Sequence, residues 1–295
     1  MRADRRVVSL LSDSGTEYDG ILARELPKQC FNFGISEQNQ VGVAAGMAMC
    51  GKIPFVFTNG AFLAYRAYEF IRNDVCGQNL NVKLIGVGSG TSWSTLGTSH
   101  HTTEDFAALR VLPNLTILSP ATPAEAAACI KTAYEHTGPV YVRLGLSGER
   151  EYYGEGTLTA VGECHKLGEG DAAAVFVTGS ILSEVMECRE ILLSQGISIE
   201  VYDMYSIRPL DGETVKNVSK RFRTVFSVEE HSVNGGLGGA MAEILAEQKN
   251  GARLVRFGME NGFAVGYGSQ SDIRRTNRLD AASLAARIGE ALKNE

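Results

Sequence analysis

Short apolar runs alternate with helical patterns along most of this chain, and that alternation restricts its fold more than any other feature. In the first half the runs are Val7 to Leu11, Phe31 to Phe33, Ile53 to Phe57, Val82 to Val87, Leu115 to Leu118 and Val140 to Leu144. Between them the spacing predicts helices over Asp19 to Leu26, Ser36 to Met49, Phe62 to Asn73 and Pro123 to His136. Near-continuous apolar strands separated by helices predict a parallel sheet covered on both faces. Residues Gly145 to Gly170 lose the pattern, and a second alternating block follows, with strands at Ala173 to Thr178, Ile197 to Tyr202, Thr224 to Val228 and Leu254 to Phe257. Its helices are expected at Ile181 to Gln195, Gly212 to Lys220, Gly236 to Glu247 and Ala281 to Leu292. The chain therefore reads as α/β: two doubly wound domains over 1–150 and 171–295, the second smaller, joined by a linker at 151–170.

A length of 295 residues is enough for two hydrophobic cores. A net charge of -6 with no basic run argues against nucleic acid as a partner. The basic start is followed by too few apolar residues for a signal segment, and no run approaches a membrane span of about 18 residues. Cys30, Cys50, Cys76, Cys129, Cys164 and Cys188 form no CxxC pair and no metal-ligand spacing. Buried thiols in a reducing, cytoplasmic protein are the expectation.

Ligands of parallel sheets gather at the carboxyl ends of the strands, which singles out Asp13, Glu37, Phe62 and the loop after Val87. Glu37 opens a helix that is otherwise small and apolar, with Ser36 where an N-cap would be and Val41, Ala44, Ala45 and Ala48 at helical spacing. A carboxylate buried there needs a partner. It is either a capping glutamate favoured by the helix dipole or an acid held at the proton affinity that chemistry requires. Phe62, Tyr65 and Tyr68 stand at i, i+3 and i+6, as a core stripe or as an aromatic wall facing Glu37 that suits a flat heterocycle. In the GTSHH loop, Gly97 to His101, a histidine is either a surface residue or an acid, base or anion donor near neutral pH. The GVGSG run at Gly86 to Gly90 has Thr91 where a dinucleotide-binding loop needs its third glycine. Asn234 to Gly239 suits either an anion at a helix start or close helix packing, and Lys166 and Arg208 read as solvated charges.

These segments together resemble the C-terminal half of the transketolase family, which includes 1-deoxyxylulose-5-phosphate synthase, over nearly the whole chain. FGISEQ is similar to the segment whose glutamate contacts the aminopyrimidine of thiamine diphosphate, which maps to Glu37. GAFLAYRAY is similar to the aromatic pyrimidine pocket and maps it onto Phe62, Tyr65 and Tyr68. GTSHH resembles the loop of the substrate histidine, placed at His100, while SDSG places the aspartate near the thiazolium at Asp13. Arg143 matches a phosphate-binding arginine. VTGS, YDMYSIRPLD, VEEH and GGLGGAMAEIL resemble the C-terminal domain. The resemblance implies that Glu37 shares a proton with the pyrimidine ring nitrogen and has a raised proton affinity, and that His100 and Arg143 face the substrate.

The departures carry as much information. No GDG followed by an asparagine, the family's magnesium and diphosphate motif, occurs, so a separately encoded N-terminal subunit is expected to hold the Mg2+ or Ca2+ ion and the diphosphate in an α2β2 assembly, with no metal site on this chain. Leu96 stands where an aspartate contacts the sugar hydroxyl, and leaving that hydroxyl unpaired costs about 1 to 3 kcal/mol. Gly88 stands where a histidine binds phosphate, and the helix and arginine that precede the first strand in relatives have no counterpart. The expectation is the small subunit of a split transketolase that moves a two-carbon ketol unit from a ketose, a phosphate or another acidic ketose, to an aldose. The alternatives are a 2-oxo acid dehydrogenase β subunit and a non-catalytic scaffold.

Overall fold

The computed structural model describes all residues except 14–16, 147, 155, 250, 261 and 295 and the side chains of 17–19. The elements run β1 (Val7–Leu11), α1 (Glu17–Glu25), β2 (Cys30–Asn32), α2 (Glu37–Met49) and β3 (Ile53–Asn59). An irregular helical segment follows, made of a π-helical turn at Phe62–Arg66, α3 (Tyr68–Phe70) and a second π-helical stretch at Ile71–Cys76. Then come β4 (Lys83–Val87), α4 (Asp105–Leu109), β5 (Thr116–Leu118), α5 (Pro123–Glu135) and β6 (Val140–Leu144). The second half contains β7 (His165–Gly168), β8 (Ala173–Thr178), α6 (Leu182–Ser194), β9 (Ile199–Asp203), β10 (Ser206–Arg208), α7 (Gly212–Ser219), β11 (Thr224–Ser232), α8 (Leu237–Ala246), β12 (Arg253–Met259), α9 (Gln270–Thr276) and α10 (Ala281–Lys293).

Among the described residues two sheets form, ordered β10-β5-β6-β4-β3-β1-β2 and β12-β11-β8-β9-β7. All pairings are parallel except two edges, β10 on β5 and β7 on β9. The apolar runs explain the pattern: β1, β8 and β9 are buried along their whole lengths, as strands covered on both faces must be.

Four expectations need correction. The linker at 151–170 contains β7, whose short polar sequence HKLG gives no strand signal by itself and pairs only because β9 offers an edge. The two halves also interlock: β10, in the second half of the sequence, completes the first sheet, and Ser119 donates its backbone N–H to the Tyr205 carbonyl. One core cluster accordingly mixes Phe106, Leu109 and Ile117 with Phe176, Met204, Ile207 and Leu237. Lys166 is not simply solvated, since it bonds the buried Glu200 at 2.8 Å. Cys30, Cys76, Cys129 and Cys188 are buried as expected, whereas Cys50 is exposed and Cys164 half-buried.

Buried charges tie the halves together. Glu230 of β11 accepts from Thr91 N and Oγ1, Gln270 Nε2 and Arg274, joining the loop after β4 to α9. Burial alone would raise the Glu230 carboxyl, but the Arg274 charge and the hydrogen bonds from Arg274, Thr91 and Gln270 together outweigh it and hold the group below the usual range. Gly90, at φ +59°, allows this approach, because a Cβ there would lie 2.7 Å from Glu230 Cγ.

Candidate active site

Three strand ends build the site. After β2 the chain turns through Gly34 at φ +67°, a left-handed conformation suited to glycine, and Asn32 Oδ1 accepts the Gly34 N–H at 2.7 Å. Asp13, just past β1, donates its backbone N–H to the Gly34 carbonyl at 3.1 Å, which fixes the turn against the sheet. Ser36 is at the N-cap position, yet its hydroxyl donates back to the Phe33 carbonyl at 2.7 Å and caps nothing. Glu37 is the first residue of α2 and is 2% exposed. The partner that its burial demands is Arg66, whose Nη1 donates to Glu37 Oε2 at 2.7 Å. Past β3, Asn59 Oδ1 accepts the Ala61 N–H and starts the π-helical turn that carries Phe62 and Arg66. Such wide turns often accompany functional sites.

Asp13, Glu37, Phe62 and His100 converge on one cavity of about 240 Å³. Its wall is completed by Ser12, whose hydroxyl donates to Thr58 Oγ1 at 2.7 Å, and by Asn59, Ile35, Trp93 and Leu96. His100 meets the Phe62 ring edge-on, with centroids 5.0 Å apart, and its Nδ1 lies 2.9 Å from Ser99 Oγ, which leaves Nε2 for a ligand. Neither lysine nor arginine belongs to the described lining. The volume falls below the ~300 Å³ at which pockets for whole ligands begin, so the cavity fits a ring-sized piece of a larger molecule.

Other expected site residues are placed differently. Of the three aromatics only Phe62 reaches the cavity, because the π-helical turn breaks the i, i+3 register. Tyr65 accepts the Glu104 N–H at 2.9 Å and donates to Glu104 Oε2, and burial together with the Asp105 and Glu104 charges pushes its phenol up. Tyr68 packs against the core. Arg143, expected to face the substrate, does not line the cavity. It is 2% exposed, pairs with Asp105 Oδ2 at 2.9 Å and donates to the Thr102 and Glu230 carbonyls, so its charge is spent on internal partners. Trp93 and Ile35 had no sequence signal as site residues, although Trp93 lies in the polar loop between GVGSG and GTSHH.

Two interlocked α/β domains built in this way have the fold of transketolase domains. Residues 1–147 match the transketolase pyrimidine-binding domain family and residues 162–276 the transketolase C-terminal domain family. The chain belongs to the transketolase family. It is 37% identical to a putative transketolase C-terminal section of Methanocaldococcus jannaschii, over 96% of this chain and 89% of that one. It is 36% identical to one of the subunits of the apulose-4-phosphate transketolase of Actinobacillus succinogenes, over 88% of this chain and 84% of that one. A solved structure described as a split gene transketolase, inactive β4 tetramer, superposes with a TM-score of 0.90 at 35% identity, covering 99% of this chain and 94% of that one.

Proposed function

We propose that this chain is the cofactor-activating subunit of a two-subunit, thiamine-diphosphate-dependent transketolase that moves a two-carbon ketol unit from a ketose to an aldose. The observation that carries the proposal is the buried Glu37 carboxylate at the wall of a ring-sized cavity, next to the Phe62 face. The lining fits one end of the cofactor: an acceptor in a dry wall for a ring nitrogen and an aromatic face for stacking. It does not fit the other end, since a diphosphate wants cations or helix N–H groups and the described lining has no lysine or arginine. A separate N-terminal subunit would hold the diphosphate and its Mg2+ or Ca2+ ion in an α2β2 assembly. The description of a similar chain as an inactive β4 tetramer fits a subunit that needs another polypeptide.

When bound, thiamine diphosphate supplies the electron sink on which carbon-carbon bond cleavage depends. Glu37 would hold or release a proton at its carboxyl group, out of competition with water. Phe62 and Ile35 would keep the heterocycle dry, Asp13 would line the rim by the thiazolium, and His100 Nε2 would be available to a substrate hydroxyl or carbonyl. Leu96, half exposed at the mouth, offers no hydrogen bond to a sugar hydroxyl. With Arg143 internal, recognition of an acidic headgroup would fall to the partner subunit. Named activities of relatives, on apulose 4-phosphate and on 6-deoxy-6-sulfo-D-fructose, make acidic ketoses the donors to screen.

The test is ketol transfer by the chain co-expressed with its N-terminal subunit. Glu37→Ala is expected to lower turnover by at least about 100-fold with the complex intact. Undiminished turnover would overturn the assignment.

A further inference from the structure

The cavity rests on two kinds of support. Asp13, Glu37 and Phe62 stand just past strands of the first sheet, whereas Trp93, Leu96 and His100 all belong to one loop, Gly90 to Thr102. That loop is closed at its base: the Thr102 N–H donates to the Gly90 carbonyl at 2.8 Å and the Gly90 N–H to the Thr102 carbonyl at 3.2 Å. Between these ends the chain turns on itself, with the Leu96 N–H on the Trp93 carbonyl and the His100 N–H on the Gly97 carbonyl, both at 2.9 Å. In a loop closed and packed in this way, the base sets where the side chains stand.

Both feet of the loop are held by β11, in the second half of the chain. On one side Glu230, 2% exposed, accepts from Thr91 N at 3.1 Å and from Thr91 Oγ1, while Gln270 Nε2 joins Glu230 Oε1 at 3.1 Å to Ser92 Oγ at 3.2 Å. On the other side Ser232 donates its N–H to the Thr103 carbonyl at 2.7 Å, and Arg143 Nη2 joins the Thr102 carbonyl at 2.6 Å to the Glu230 carbonyl at 3.1 Å. Hydrogen bonds to an ionised carboxylate are stronger than neutral ones, and Arg274 Nη2, 2.7 Å from Glu230 Oε2, keeps this one charged. We propose that Glu230 is a positioning residue: by holding Thr91 directly and Ser92 through Gln270, it places the loop that carries Trp93, Leu96 and His100. The second domain thereby sets the substrate side of the cavity and leaves the cofactor side, built on the first sheet, unchanged. The assignment of that side to substrate rests on the function proposed above; the hold on the loop does not.

Trp93 is the only tryptophan of the chain, so its fluorescence reports the loop directly. Its indole is seated against Gly88, where a Cβ would lie 2.0 Å from Trp93 Nε1. Iodide quenching of the chain by itself is expected to rise about twofold in Glu230→Gln, which keeps the shape of the side chain and loses the charge that Thr91 and Gln270 bond. In the two-subunit complex the same variant is expected to lower kcat/KM for the ketose that wild type uses by about tenfold, with the affinity for thiamine diphosphate and Mg2+, read by calorimetry, within about twofold of wild type. Thr91→Val removes only the hydroxyl and leaves the Glu230–Arg274 pair in place; it is expected to move quenching and kcat/KM in the same direction, and it decides the matter should Glu230→Gln fail to fold. Thr91→Ser keeps the hydroxyl and is expected to behave as wild type. Unchanged quenching in the folded variants, or a Thr91→Ser chain no closer to wild type than Thr91→Val, overturns the hold on the loop. A cofactor affinity that falls as far as kcat/KM makes Glu230 a general support of the fold and overturns its positioning role. A wild-type complex without ketol transfer overturns the functional reading instead, and the quenching then still decides the hold on the loop.

Discussion

At the scale of single residues, Glu37 and Arg143 are both charged and both 2% exposed, yet their surroundings give them opposite parts. Glu37 stands at a cavity wall with one cation, which is itself partly in water. Arg143 is sealed in by Asp105 and two carbonyls, with the Phe106 ring 4.5 Å from its guanidinium carbon. Arg143→Ala leaves the Asp105 carboxylate buried without its cation and is expected to cost about 3 to 5 kcal/mol in urea unfolding of the chain. Adding Asp105→Ala should recover part of that loss. A raised KM for donor without any loss of stability would instead restore Arg143 to the substrate site. The candidate residues Asp13, Glu37, Phe62 and His100 were legible because each directly follows a strand or lies in a polar loop, where a parallel sheet exposes its ligand-binding edge. Arg143 was not legible, because a strand arginine looks the same in sequence whether it meets a ligand or a buried aspartate.

At the scale of elements, α5 and β9 meet through a pair of carboxyls, Glu125 and Asp203, both buried. Burial and, for Glu125, the neighbouring Asp203 charge push both groups up, and Tyr153 donates to Asp203 Oδ2 at 2.7 Å. Glu125 Oε1 and Asp203 Oδ1 lack a donor when both groups are ionised, and one shared proton satisfies both. His165, 3.6 Å from Glu125 Oε1, has its proton affinity lowered by burial, so it does not replace that proton at neutral pH. The folded chain binds the proton more tightly than the unfolded one. Its contribution to stability is complete below about pH 4, where unfolded carboxyls are protonated, and is lost as pH rises through the raised folded values of the pair. Urea midpoints should fall between pH 6 and pH 9, on the order of the range over which the pair titrates, and Glu125→Gln should flatten that fall. A midpoint rising over that range would contradict the shared proton. The strands and long helices were legible because continuous apolar runs and helical spacing report burial directly. The short edges β7 and β10 were not, since their form comes from an open strand edge beside them, and neither was the broken helix at Phe62–Cys76, whose π-helical turns depart from the 3.6-residue spacing that the sequence pattern reports.

At the scale of the whole molecule, the interlocked core means that neither half is closed without the other. The chain is therefore expected to unfold in one calorimetric transition, and two well-separated transitions would contradict the mixed core cluster. The same incompleteness recurs one level up, where a ring-sized cavity with a buried acid has no cation in its described lining for a charged tail. The most direct test is a high-resolution map of the two-subunit complex with thiamine diphosphate and Mg2+. The account predicts the pyrimidine ring against Phe62, a ring nitrogen within hydrogen-bond distance of Glu37, and the diphosphate and metal held by the other polypeptide. A map with Glu37 turned to solvent, or with the diphosphate held by this chain, would contradict it.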